Sequence, residues 1–257
     1  MTAVQLSAPR SVPDIRAGDA LADILVSCLR EERVALGNKT ILAIAQKIVS
    51  KAEGRLVPLA GVIPGERARA LAKKLNKDPR KVELILSESR EIIRLREPVE
   101  EGGEGLIISR HRRGYICANA GIDESNVGED ESVLLLPEDS DSSARQLRAR
   151  ILALTGCAPG IVITDTFGRP WRNGLVNVAI GLAGVPAVMD LCGQSDAWGR
   201  PLRVTKPALA DELAAASGLL MGKNAKTPVI VFEGIDWRDS ESDSGDLIRA
   251  ANEDLFL

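Results

Sequence analysis

Three short apolar runs constrain this chain more than any other feature: Thr40–Ala45, Gly160–Thr164 and Thr227–Phe232. Each is five or six residues of almost unbroken aliphatic sequence. Runs of that length read as buried strands, and they fall far short of the ~20 apolar residues that span a bilayer. Buried strands must be covered, so the amphipathic segments between them become the candidate covering helices.

The first of these, Ala17 to Glu32, places Leu21, Ile24, Leu25, Cys28 and Leu29 at the spacing of one helical face. Glu66–Leu75 and Asp78–Ser89 predict two more helices. The second has Asp78 as N-cap and Pro79 at the first helical position, where its missing N–H costs nothing. The polar stretch Glu138–Ser143 starts a helix that carries Leu147, Ile151, Leu152 and Leu154 and stops at Gly156. A helix over Leu209–Met221 and a short one near Asp246–Glu253 complete the set. Gln46–Gly54 reads as a polar turn ended by glycine. Further strands are predicted at Glu91–Leu95, Gly105–Ser109, Gly114–Asn119 and, as a longer region, Leu175–Val188. Hairpin-like strand runs beside separate helix pairs predict an α+β fold rather than a regular βαβαβ array.

Composition excludes several functions. Lys and Arg total 33 against 36 Asp and Glu, a net charge of −3, which removes the electrostatic footprint of a nucleic-acid binder. A hydrophobic fraction of 45% with 27% charged residues is that of a globular protein. The opening MTAVQLSAPRSVPD lacks the apolar region of a signal peptide, so a cytoplasmic protein with no membrane partner is expected. Cys28, Cys117, Cys157 and Cys192 form no CxxC pair and read as small buried hydrophobes. The only histidine, His111, stands in Ser109-Arg110-His111-Arg112-Arg113 and reads as part of a solvated basic loop.

Standard phosphate motifs fail. Gly218-Leu219-Leu220-Met221-Gly222-Lys223-Asn224 is one residue short of a P-loop and follows a helix instead of opening one. Two other segments carry chemistry. Asn119-Ala120-Gly121-Ile122-Asp123-Glu124-Ser125-Asn126-Val127 follows a strand and keeps a carboxylate among small and polar residues. In Ile161-Val162-Ile163-Thr164-Asp165-Thr166 an apolar strand ends in a carboxylate and a hydroxyl. Hard divalent cations such as Mg²⁺ or Mn²⁺ take such oxygens, with phosphate completing the shell. Each segment alone also reads as a capped turn. Lys47 and Lys51 follow a buried strand and can meet phosphate as point charges, or sit in a solvated turn. Finally, Thr164–Arg172 matches Ser195–Arg203, each with Asp three positions before Gly. The match reads either as one turn type used twice or as two loops approaching one site.

Taken together, four stretches resemble the coenzyme F420-0 γ-glutamyl ligases: Ala45–Arg55, Ala118–Val127, Thr164–Gly174 with Val178–Gly181, and Asp196–Arg200 through Ala210–Ala214. They occur in the family's order over nearly the whole chain. The resemblance implies an enzyme that phosphorylates the terminal carboxylate of coenzyme F420-0 with GTP as co-substrate. L-glutamate then displaces phosphate, and further glutamates are added through γ-linkages. It implies two divalent cations per site, Mn²⁺ or Mg²⁺, with K⁺ as a monovalent activator. Carried over position by position, Asp123, Asp165 and Thr166 match metal ligands, with Asp123, Asp165 and Lys51 at the catalytic centre. Gln46, Lys47, Lys51 and Asn126 match GTP-site positions, as do Val12-Pro13-Asp14-Ile15, where the family usually has Leu first, and Leu220-Met221-Gly222-Lys223. Lys223 stands where an acidic residue can occur, which removes one metal contact if the family depends on it. The implied architecture is two interleaved α+β subdomains with mixed and antiparallel sheets, in an intertwined homodimer. The chain is expected to be one catalytic unit over residues 1–257, without the C-terminal nitroreductase-like domain of longer members. A same-fold ligase acting on a different acid, or a non-catalytic metal- and nucleotide-binding protein, are the alternatives.

Overall fold

A computed structural model describes residues 3–100, 102–124, 131–222 and 225–254. The chain runs β1 (Gln5–Ser7), α1 (Leu21–Glu31), β2 (Ile41–Ala45), α2 (Gln46–Ala52), β3 (Leu56–Pro58), α3 (Glu66–Leu75), α4 (Pro79–Ser87) and β4 (Ser89–Arg96). It continues through β5 (Leu106–His111), β6 (Ile116–Ala118), β7 (Ser132–Leu134), α5 (Ser140–Thr155), β8 (Gly160–Arg169), β9 (Arg172–Ala183), α6 (Leu209–Ser217) and β10 (Val229–Glu233).

The three apolar runs lie side by side as β10, β2 and β8 in a five-stranded sheet of order β1-β10-β2-β8-β9. Only β2 and β8 are parallel; the other neighbours are antiparallel. Leu42, Ile44, Ile161, Ile163, Val229 and Val231 pack on one face with α1 and α5. Ile41, Ala43, Val162, Ile230 and Phe232 pack on the other with α6 and Trp237. Burial on both faces is why these runs show no polar alternation. Each fully buried Leu or Ile contributes about 1.5–3 kcal/mol.

A second, antiparallel sheet, β4-β5-β6, packs with α3 and α4 around Leu75, Val82, Ile85 and Ile107. Asp78 caps α4 by accepting the Arg80 N–H, as its sequence predicts. A short ribbon, β3-β7, completes the sheets. The fold is α+β. Among the described residues, no helix is long and apolar enough to cross a membrane.

Several expectations need correction. Gln46–Gly54 is mostly the helix α2, because β2 runs straight into it; seven residues are too few for a period to show. Strand β8 continues to Arg169, well past Thr164, and pairs with a β9 that starts at Arg172 and ends at Ala183. Helix α6 stops at Ser217. The predicted last helix is two short 3₁₀ turns, Ser244–Leu247 and Ala251–Glu253. Cys28 and Cys117 are buried, but Cys192 is exposed.

His111 is no solvated residue. It ends β5 fully buried, stacks on Tyr115, and lies 3.3 Å from the Glu88 carboxylate. Arg55 and Arg112 also reach Glu88, at 3.1 and 3.0 Å. Burial alone would raise the Glu88 carboxyl; the His111 hydrogen bond and the two guanidiniums outweigh it and hold the group down at about 2. His111 and Arg112 therefore belong to a network neutralised by Glu88, which stands more than twenty positions earlier in sequence.

Candidate active site

A cavity of ≈ 1250 Å³ opens at the carboxyl ends of the parallel strands β2 and β8. Strand β10 begins at the same edge, where the Ala45 N–H donates to the Pro228 carbonyl at 2.8 Å. Sheets with parallel strands commonly bind ligands outside these ends.

Helix α2 supplies one wall. Its i, i+4 spacing puts Lys47 and Lys51 on one side, and likewise Gln46 and Ser50. The buried Ser50 hydroxyl donates to Gln46 Oε1 at 2.7 Å, and the Gln46 side chain hydrogen-bonds Asp165. Lys47 Nζ lies 2.7 Å from Asp123 Oδ2. Lys51 lines the cavity and makes no ion pair among the described residues.

Asp123 is held by a strained loop. Asn119, Ala120 and Gly121 are consecutive residues at positive φ (49°, 53° and 71°). For non-glycine residues this costs on the order of 1–3 kcal/mol each, and such strain collects at functional sites. A Cβ at Gly121 would sit 2.7 Å from Leu136 Cδ1, so the turn admits only glycine there. Asp123 then pairs with Leu134 through two backbone hydrogen bonds of 2.9 and 2.8 Å, which fixes its backbone at the cavity wall.

Asp165 lies within β8, opposite Val178 of β9. Just before it the register slips: Ile163 faces Gly181 and Thr164 faces Ala179, leaving Ile180 as an extra residue. Such bulges are common beside active sites, where they re-aim a strand. The outward groups of β9 are taken up locally. The Ala179 N–H donates to Asp211 at 2.9 Å, and the Ile180 carbonyl accepts the Tyr115 hydroxyl. Burial, reinforced by the charge of Asp123, pushes the Asp165 carboxyl up to about 7. It does so against the Thr166 N–H, the Gln46 side chain and the charge of Lys47. A half-buried carboxyl beside a second carboxylate, at a cavity wall, suits a divalent cation. Asp123, Asp165 and the Thr166 hydroxyl are all hard oxygen donors, as Mg²⁺ or Mn²⁺ prefers. Among the described residues no third His, Cys, Asp or Glu joins them, so substrate or water oxygens would have to complete a shell.

The cavity brings together Val12, Pro13, Asp14, Ile15, Gln46, Lys47, Lys51, Asp123, Asp165, Thr166, Met221 and Gly222. Leu220 is not part of its lining; the Leu220 carbonyl accepts the Thr227 hydroxyl at 2.7 Å. Asn126 and Lys223 lie outside the described residues. Nor does the Ser195–Arg203 segment line the cavity, so among the described residues the two matching loops do not face one site. Sequence reasoning missed Asn177, the cross-strand partner of Thr166, whose signal is a single polar side chain between Val176 and Val178. Cys117, read from the sequence as a small buried hydrophobe, is buried at the cavity wall, where burial and the charge of Asp165 push its thiol up to about 12.

The arrangement is that of an α+β domain whose strand-end cavity sets two carboxylates against two lysines, a make-up suited to a polyphosphate with its cation. The chain belongs to the F420-0:Gamma-glutamyl ligase family, whose sequence model matches residues 10–234. It is 41% identical over 256 residues to a coenzyme F420:L-glutamate ligase of Methanothermobacter thermautotrophicus, covering 98% of each chain. It is 42% identical over 247 residues to the protein of that name in Methanopyrus kandleri, covering 94% of this chain and 93% of the relative. The Archaeoglobus fulgidus relative, also so named, is 39% identical over 254 residues, covering 98% and 96%.

Proposed function

We propose that this chain is a GTP-dependent ligase that joins L-glutamate to the terminal carboxylate of coenzyme F420-0 and then adds further glutamates through γ-linkages. The observation that carries the reading is the convergence of Asp123, Asp165, Thr166, Lys47 and Lys51 in one cavity, in a chain whose relatives are named coenzyme F420:L-glutamate ligases. Phosphoryl transfer is mostly positioning and charge neutralisation, so it calls for carboxylates, cations and lysines rather than a histidine nucleophile. The burial of His111 within the Glu88 network accords with that.

In this reading Lys47 and Lys51 meet phosphate oxygens, helped by Gln46, the Val12–Ile15 segment and Met221–Gly222. Asp123, Asp165 and Thr166 would hold the Mn²⁺ or Mg²⁺. A divalent cation supplies charge neutralisation on the transferring phosphoryl group. The γ-phosphoryl of GTP passes to a carboxylate oxygen of the acceptor, releasing GDP. The glutamate amine then attacks the acyl carbon; the amide bond forms, the bond to the phosphate oxygen breaks, and the amine gives up its proton. K⁺ is proposed as a monovalent activator. A homodimer is proposed as well, on the family resemblance. Light scattering on the purified chain tests it, and a monomeric mass rejects it.

The direct test of activity is mass spectrometry of a reaction containing GTP, Mn²⁺, L-glutamate and F420-0. One or more glutamyl units should be added, with matching GDP. No mass increase while GTP still binds would overturn the substrate and direct the search to other carboxylates.

A further inference from the structure

Asn177 and Thr166 are cross-strand partners on β9 and β8, and the Thr166 hydroxyl lies 2.9 Å from Asn177 Oδ1. On its other side, Asn177 Nδ2 is 3.4 Å from Ser217 Oγ and 3.8 Å from Met221 Sδ. Ser217 ends α6 fully buried, and its hydroxyl is 2.6 Å from the Ala214 carbonyl. That short contact takes the Ser217 proton in preference to the Met221 sulfur at 3.9 Å.

These contacts decide the direction of every proton in the row. A serine hydroxyl carries one proton, so Ser217 Oγ, having given it to Ala214, can only accept from Asn177. The Asn177 amide must therefore turn its NH₂ toward Ser217 and its oxygen toward Thr166. Only Thr166 can supply the proton between them. The Thr166 oxygen is left with its lone pairs for the cavity that Asp165 and Asp123 also line. If the amide were reversed, Asn177 would donate to Thr166, and the threonine proton would be directed at whatever the cavity holds.

We propose that Asn177 is a positioning residue that orients the Thr166 hydroxyl as a lone-pair donor to a divalent cation, in a row anchored through Ser217 on helix α6. The inference rests on the cation-dependent reading above. Residues behind a ligand typically change metal affinity about 10- to 100-fold when removed, because they fix the ligand's orientation.

The test is Mn²⁺ titration followed by electron paramagnetic resonance, with GDP present, which reads binding rather than turnover. Asn177→Leu and Thr166→Val are each expected to weaken Mn²⁺ by about 10- to 100-fold. The double variant should bind no more weakly than Thr166→Val alone, because Asn177 acts only through Thr166. Losses that multiply, as for independent sites, overturn the proposal. So does an Asn177→Leu protein that binds Mn²⁺ like the wild type. Ser217→Ala leaves Asn177 in place but frees its amide to turn over, and it should weaken Mn²⁺ several-fold. If Asn177→Leu fails to fold, unchanged affinity in Ser217→Ala overturns the proposal instead. Asp165→Asn separates the two readings. Full Mn²⁺ affinity in that variant defeats the cation site itself, whereas its loss there, with retention in Asn177→Leu, defeats only the role of Asn177.

Discussion

Thr164–Arg172 and Ser195–Arg203 are close to the same string of letters, yet they fold differently. In the second, Asp196 Oδ1 accepts the N–H groups of Trp198 and Arg200 at 2.9 and 2.8 Å, and Gly199 turns at φ +80°. It is the capped turn that the spacing predicts. In the first, the same aspartate sits inside a strand. Thr164 is paired with β2 on one side and β9 on the other, and Asp165 and Gly168 are paired with β9. The ladder has claimed the backbone, so no turn forms for the Asp165 side chain to cap, and the carboxylate lines the cavity instead. A turn motif specifies a turn only where no neighbouring strand competes for its backbone.

Exchanging the two aspartates should expose the contrast most sharply. Asp165→Asn is expected to abolish ligation, a loss of about a thousandfold or more, since one anionic donor at the proposed cation site would be worth several kcal/mol of transition-state stabilisation. Near-normal turnover would mean that Asp165 is as structural as Asp196. Lys51, on the helix wall across the cavity, comes next. Lys51→Ala should weaken GTP binding by about 1.5–3 kcal/mol, the scale of a charged hydrogen bond, and calorimetry reads it directly. Unchanged affinity would return Lys51 to a solvated surface role.

The Asp165 segment should also show itself in how stability responds to pH without metal. The Asp165 carboxyl is raised from 3.8 to about 7 by burial and by Asp123, so in the fold it keeps a proton that the unfolded chain gives up. Stability from this group is fully present below pH 4 and is lost as pH rises through about 7. In chelator, Asp165→Asn escapes that loss. Its melting temperature should gain on the wild type between pH 4 and pH 8. A gap that stays constant with pH would show that burial does not govern this carboxyl.

Much of the fold was legible for reasons that these segments make plain. The runs at β2, β8 and β10 are buried on both faces, and aliphatic sequence says so directly. Asp78 and Asp139 cap their helices through purely local hydrogen bonds. Twelve of the residues carried over from the family resemblance do meet in one cavity. What the residues themselves hid is non-local. Helix α2 is too short to show a period, His111 depends on a glutamate from another element, and β8 extends past Thr164 only because β9 is there to pair with it. Asn177 lacks any motif, and its role follows from a cross-strand neighbour and a helix end forty residues away.

The smallest expected effect falls on Asp196, and it is the one that can reverse the comparison. Asp196→Ala removes an acceptor from two exposed backbone N–H groups that water can satisfy in its place, so about 0.5–1.5 kcal/mol of stability is at stake. For a chain of this size that is a fall of a few degrees in melting temperature. Ligation should stay within about twofold, because nothing in this turn lines the cavity of its own chain. A tenfold drop in kcat without a matching loss of stability would tell a different story. The loop would then have to reach an active site, and the candidate is the site of a second copy in the proposed homodimer. Mixing Asp196→Ala with Asp165→Asn protein decides it. If each copy's loop serves the other's cavity, a mixed dimer pairs an intact cavity with an intact loop and regains part of the activity. If each loop serves only its own chain, the mixture stays as inactive as its parts.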